Sequence, residues 1–332
     1  MKFSIGIIGF AIAVVAAFLT FDYFRPGNLI DNTAFVNNAV DSESIAERIR
    51  KAGKKSQGVK GVYMTSNIAN DSGLFAAKLR GQIIDLLDET ELNGVVIDVK
   101  ETEGGLIISD RLKDLVNALH QKGAWVIARQ VVFKDSSREK DHPDWYLKRT
   151  NGAFWRDNRG GSWLDPSSSE VWRYQLQAAK TASDAGFDEI QFDYIRFPSD
   201  GDTRGIVYPA YDSKRPKYEV LREFFGYMHD ELKRYRPDLI LSADLFGYAA
   251  LEKSDVGIGQ RLEDIGENFD YVSPMVYPSH YYSGFQVAAD LNRNLPAVYY
   301  PYRSKNIIQT AVNHPYDVVY RTLLMAQDIL NS

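Results

Sequence analysis

The stretch FDEIQFDYIRFP, residues 187–198, decides the fold. Read with a period of two, Ile190, Phe192 and Tyr194 fall on one face and Gln191 and Asp193 on the other. A strand of an open doubly wound sheet, covered by helices on both faces, would instead read as a near-continuous apolar run. One apolar face and one that turns polar at its end describe a strand packed on helices outside and facing a lumen inside, as in a parallel barrel. The same division recurs on both sides of this stretch. In GVVIDVK (94–100), Val95, Ile97 and Val99 oppose Asp98 and Lys100; in LILSADLF (239–246), Leu241, Ala243 and Leu245 oppose Ser242 and Asp244. KGVYMTS (60–66) adds Tyr63 and Thr65, AWVIARQVV (124–132) adds Arg129, and YVSPMVY (271–277) adds Ser273, Met275 and Tyr277.

Helical patterns fill the intervals at 72–88, 110–122, 168–185, 217–235, 260–268 and 315–330, so strand and helix alternate as βα units. The first strand runs into Thr65-Ser66-Asn67, with no glycine-rich phosphate turn. These features favour a (β/α)8 TIM-type barrel. Eight units are needed and six are visible; Val298-Tyr299-Tyr300 is a possible strand inside a long connection. The expectation is a barrel lacking its last one or two βα units.

Before the body the chain runs without a charge from Phe3 to Phe21, long enough as a helix to match a bilayer core of roughly 30 Å. Bulky Phe18-Leu19 after Ala16-Ala17 argues for an uncleaved anchor over a cleaved signal peptide, and Lys2 favours an inside N-terminus. The division expected is a transmembrane anchor or signal sequence at 1–21, a polar linker at 22–57 with one short helix from Ser42 to Lys51, and the barrel at 58–332. A net charge of −5 removes the basic footprint of a nucleic-acid binder. The absence of cysteine excludes disulfide frameworks and thiolate chemistry. No G-x-S-x-G, P-loop or H-E-x-x-H string is present.

Barrel chemistry sits at the C-terminal strand ends. Asp193 and Asp244 end neighbouring strands, which lie about 4.8 Å apart, close to the 5–5.5 Å carboxyl spacing of retaining glycosidases. That suits a nucleophile and an acid, although a structural ion pair of Asp193 with Arg129 or Arg196 fits the same residues. Asp98 and Glu101, about twice as far from Asp193, are alternative acids nearer the inverting spacing, with Lys100 as an ion-pair partner. The long connection after the third strand carries HPDWY (142–146), a hairpin signal at Asn151-Gly152 and Trp155, and the sixth strand leads to Tyr277 and His280. Tyr63, Asp98, Lys100, Arg129, Trp155, Arg196, Tyr277 and His280 are the candidate sugar-binding residues. A metal held by Asp98, Asp193 and Asp244 is disfavoured by neighbouring Lys100 and Arg129, and no cofactor is expected.

The strings GVYMTS, VVIDVKE, HPDWYLKRTNGAFW, WLDPSSSEVWRYQ, FDEIQFDYIRFP and FDYVSPMVYPSHY together resemble the putative glycosyl hydrolase domain family, once a domain of unknown function. These are bacterial TIM-barrel proteins, often membrane-anchored or secreted, within the α-amylase-like barrel assemblage. The resemblance covers about Gly58 to Leu330. It implies that Asp193 takes the place of the fourth-strand nucleophile, while Asp244 stands where those enzymes carry a glutamate acid. The expected function is hydrolysis of an extracellular or cell-envelope polysaccharide, and the alternative is a non-catalytic glycan- or cell-wall-binding barrel.

Overall fold

The computed structural model describes residues 45–252, 254–305 and 309–331. The expected anchor at 1–21 lies outside the described residues, among which no helix is long and apolar enough to cross a membrane. A helix α1 at 45–56 leads into β1 (Gly61–Met64), α2 (Ser66–Asn70), α3 (Leu74–Glu89), β2 (Gly94–Lys100), α4 (Asp110–Gln121) and β3 (Trp125–Val131). Then follow α5 (Ser169–Asp184), β4 (Glu189–Asp193), α6 (Lys217–Tyr235), β5 (Ile240–Phe246), α7 (Leu262–Gly266) and β6 (Tyr271–Met275). A small hairpin, β7 (Phe285–Val287) and β8 (Val298–Tyr300), precedes α8 (Pro315–Leu330). Ser109 and Ser168 start α4 and α5 by accepting the Leu112 and Val171 N–H groups.

Strands β1 to β6 form one sheet in sequential order, every pair parallel. Six of the eight strands expected of a barrel are thus in place among the described residues, and they form a partial (β/α) barrel. Val298–Tyr300 pairs antiparallel with β7 and stands outside this sheet. The outer face packs on the helices: Val95, Ile97, Val99, Ile190, Phe192, Leu241 and Leu245 are sealed against Leu112, Val116, Leu119, Val171, Phe224 and Met228. Each such side chain contributes roughly 1.5–3 kcal/mol, enough to hold the sheet curled over its charged inner face.

The inner face has a floor. Ile127, Trp125 and Ile240 are buried there with Val96, Val59, Ala52 and Tyr271, so strands β2, β3, β5 and β6 and helix α1 meet in one cluster. Ser56 exchanges a 2.7 Å hydrogen bond with the Tyr271 hydroxyl, and Lys55 stands over the Trp125 ring. The end of the stretch expected as a spacer therefore closes the bottom of the barrel, its helix running from 45 to 56.

One strand departs from simple alternation. Asp98 pairs with Arg129 but Lys100 pairs with Gln130, a bulge at Val99 that turns Lys100 to the opposite face. Its ammonium is fully buried, bonded to Asp135 at 2.7 Å and to the Val131 carbonyl at 2.9 Å. The expectation that Lys100 lines the sugar site or pairs with Asp98 is corrected: it ties β2 to the loop after β3.

Candidate active site

The centre of the site is Arg129, projecting inward from the middle of β3. Its Nη1 donates to Asp98 Oδ1 at 2.7 Å on one neighbouring strand, and its Nη2 donates to Asp193 on the other. Its Nε lies 3.8 Å from Asp244 Oδ2, a contact across two strands that the curl of the sheet makes possible. One guanidinium thus gathers three aspartates. Burial works against the Arg129 charge, but Asp193 and Asp98 outweigh it and hold its proton more tightly than usual.

Each aspartate has its own surroundings. Asp193 accepts from Arg129 and, at 2.6 Å, from the Tyr194 backbone N–H, so both its oxygens are engaged by donors. Tyr194 has φ +53°, the left-handed region that a bulky residue enters only under constraint. Phe192 pairs with Ala243, which sets Asp193 and Asp244 on the next rung of adjacent strands. Asp244 is raised well above the usual carboxylate range, first by burial and then by the Asp193 charge, against which Arg129 pulls only in part. Both causes favour the protonated form of Asp244. Asp98 accepts from the Tyr63 hydroxyl as well as Arg129, and burial raises it despite both donors. Tyr63 itself is half exposed, and burial together with Asp98 raises its hydroxyl.

The remaining candidates divide. Glu101 receives the Ser66 hydroxyl at 2.7 Å and the Ser66 N–H at 3.2 Å, an anchor for the start of α2. Tyr277 and His280 do stand exposed past β6, ring centroids 5.1 Å apart, continued by Tyr282 and Tyr302 as an aromatic rim. Trp155 is corrected: it is sealed in the core with its indole N–H on the Asp202 carbonyl, and Trp163 and Tyr146 are buried beside it. The Asn151-Gly152 turn is present, Arg149 and Ala153 closing it at 2.8 Å, but its aromatics pack under the loop and offer no open platform. Arg196 is buried between the rings of Trp163 and Phe246, with its guanidinium carbon 4.8 and 4.6 Å from the centroids. Burial lowers its proton affinity below the usual guanidinium range.

Two groups escaped the sequence. Tyr194 has no sequence signal for a positive φ. Glu189 was within reach, since it shares the inward parity of Gln191 and Asp193; it is buried beneath them, receives the Trp125 indole at 2.8 Å, and is raised by burial.

The family described as putative glycosyl hydrolase domain matches residues 61–332. The chain belongs to this family. As a glycosyl hydrolase-like barrel domain it is similar to several solved structures. A hypothetical protein from Ruminiclostridium thermocellum ATCC 27405 is 31% identical over 55% of this chain and 96% of its own, with a TM-score of 0.48. The α-galactosidase from Lactobacillus brevis is 17% identical over 57% of this chain and 28% of its own, with a TM-score of 0.38. A family GH13_31 enzyme is 16% identical over 80% of this chain and 56% of its own, with a TM-score of 0.43. The glycosyl hydrolase-like chain therefore spans 28% and 56% of the latter two proteins. No curated protein matches it.

Proposed function

We propose that the protein hydrolyses O-glycosidic bonds of an extracellular or cell-envelope poly- or oligosaccharide by a retaining two-carboxylate mechanism. The observation that carries this reading is the unequal pair: Asp193 accepts from Arg129 and Tyr194, while Asp244, on the adjacent rung, is raised well above the usual carboxylate range by burial and by the Asp193 charge. Strands about 4.8 Å apart bring such carboxyls within the roughly 5–5.5 Å that a covalent intermediate requires. Asp193 attacks the anomeric carbon as Asp244 passes its proton to the leaving oxygen. Ester formation then removes the negative charge beside Asp244, and with it the second-largest cause of its raised pKa. Asp244 is thereby converted into the base that deprotonates the incoming water. Arg129 keeps Asp193 aimed throughout, with Asp98 and Tyr63 fixing Arg129 from its other side. The aromatic rim at Tyr277 and His280 offers ring faces to the sugar.

The test is release of reducing ends from a panel of bacterial polysaccharides by the full chain. Wild type is expected to release them and Asp193→Asn to bind the same polymers without release. Equal binding with no release by either protein would establish the non-catalytic glycan-binding alternative, which the exposed aromatic rim also suits. We further propose that residues 1–21 anchor the domain outside the membrane, on the support of the uncharged run from Phe3 to Phe21. Protease added to intact cells is expected to digest the domain, and protection of it would overturn the placement.

A further inference from the structure

The buried cations around the mouth are not equivalent. Lys100 has Asp135 at 2.7 Å, Lys134 has Asp157 at 2.7 Å, and Arg129 has its aspartates. Arg196 is only 7% exposed, yet among the described residues it has no carboxylate within 4.0 Å. Its Nη1 donates to the Phe197 carbonyl at 3.2 Å and to Ser199 Oγ at 3.1 Å, which fixes the plane of the guanidinium between Trp163 and Phe246. The opposite edge, Nε and Nη2, donates to no protein group among the described residues. Neither atom belongs to the sealed, unpartnered set there, which consists of Gln130 Oε1, Ser167 Oγ and Asp238 Oδ1, so both touch open space. The position is three residues past Asp193, and Phe246 follows Asp244 by two on the same strand face.

Asp193, Asp200 and Asp157 act on Arg196 only from a distance, and a buried guanidinium with no carboxylate in contact is costly unless something supplies one. The free edge is the two-donor fork that matches a carboxylate. We propose that Arg196 receives the carboxylate of a hexuronic acid residue, so that the cleft takes an acidic glycan. The inference rests on the reading of the cleft as a sugar site and adds the class of sugar.

The test uses the full chain and calorimetric titration with oligogalacturonate, with the same oligomer reduced at its carboxyl groups, and with cello-oligosaccharide as a neutral control. Wild type is expected to bind the uronate at least about tenfold more tightly than its reduced form, the range of a charge-assisted pair. In Arg196→Lys, which keeps the charge and loses the fork, that preference should shrink, and in Arg196→Gln it should vanish, uronate and reduced oligomer then binding alike. A thermal melt of each variant separates lost recognition from lost folding, and if Arg196→Gln unfolds the lysine variant carries the decision. Equal binding of uronate and reduced oligomer by wild type would overturn this inference while leaving the sugar cleft intact. Failure to bind any of the three would overturn both. An unchanged preference in folded Arg196→Lys and Arg196→Gln would move the carboxylate away from Arg196.

Discussion

The two ends of the curled sheet solve opposite problems with the same six strands. At the bottom, Trp125, Ile127 and Ile240 bury apolar surface against Val96 and helix α1, and the buried carboxylate Glu189 is taken up by the Trp125 indole and Ser242. At the top, Asp98, Asp193 and Asp244 crowd one arginine, and burial raises two of the three against its pull. The floor therefore stabilises the fold, whereas the mouth is a charged cluster whose desolvation its own attractions offset only in part. Sites of this kind are held in place by the rest of the structure, and the strained Tyr194 backbone beside Asp193 is another sign of it.

The division can be broken from either end. The largest effect is expected in activity: Asp193→Asn should lower turnover at least about 10⁴-fold, and Asp244→Asn about 10²–10⁴-fold, with sugar affinity kept in both. Turnover on a leaving group that needs no protonation would recover in the Asp244 variant only; recovery in the Asp193 variant would reverse the two roles. Next comes Arg129→Met, which leaves three carboxylates without their shared cation and should cost about 3–5 kcal/mol in denaturant unfolding. Ile240→Ala, which opens the floor, should cost about 2–4 kcal/mol, but without altering the pH profile of whatever activity remains. A floor substitution that moved that profile would show the two ends to be coupled.

The pH dependence of stability sharpens the same contrast. Asp244 is raised in the folded state, so the native protein binds a proton there that the unfolded chain releases above the ordinary value of 3.8. Its contribution to stability is complete below that value and is lost as pH rises through the raised one. Asp157, in the loop beside the mouth, runs the other way: burial is outweighed by Lys134, Trp163 and Gly161, which lower it. Its contribution is present above 3.8 and fades as pH falls through the lowered value. Asp244→Asn should flatten the alkaline side of the stability curve and Asp157→Asn the acid side, both measured as unfolding midpoints across pH. A wild-type slope unchanged in Asp244→Asn would place the proton elsewhere in the cluster.

Much of this was legible because it follows from periodicity. Helices α6 and α8 and strand β2 occupy the residues their patterns assign, and inward parity brought Asp98, Arg129, Asp193 and Asp244 to one face. Parity fails where a neighbour sets the register: the bulge at Val99 depends on how β3 meets β2, and it carried Lys100 to the wrong side. Composition shows that the loop after β3 is aromatic, not that Trp155 and Trp163 face inward, which depends on the bridges Lys134–Trp163 and Lys148–Phe154 that fold the loop back on itself. Helix α1 was legible as a short helix, but its polar sequence resembles a spacer, and the role of its few buried groups, Ser56 above all, becomes meaningful only against Tyr271.

That last contact gives the smallest and most specific prediction. Ser56 and Tyr271 are 215 positions apart, and their 2.7 Å hydrogen bond joins α1 to the edge strand of the sheet. Burial raises the Tyr271 hydroxyl while the Ser56 bond lowers it, so the tyrosine has a partner without being left charged. Removing either hydroxyl, by Ser56→Ala or Tyr271→Phe, should cost about 0.5–1.5 kcal/mol. The double variant should cost less than the sum of the two, because the second removal takes away a group the first has already left unpartnered. Strict additivity in that cycle would mean that α1 is held to the floor by Ala52 and its apolar neighbours alone. A positive coupling makes the helix part of the barrel's closure, holding β6 in the position from which Tyr277 and His280 are presented at the other end.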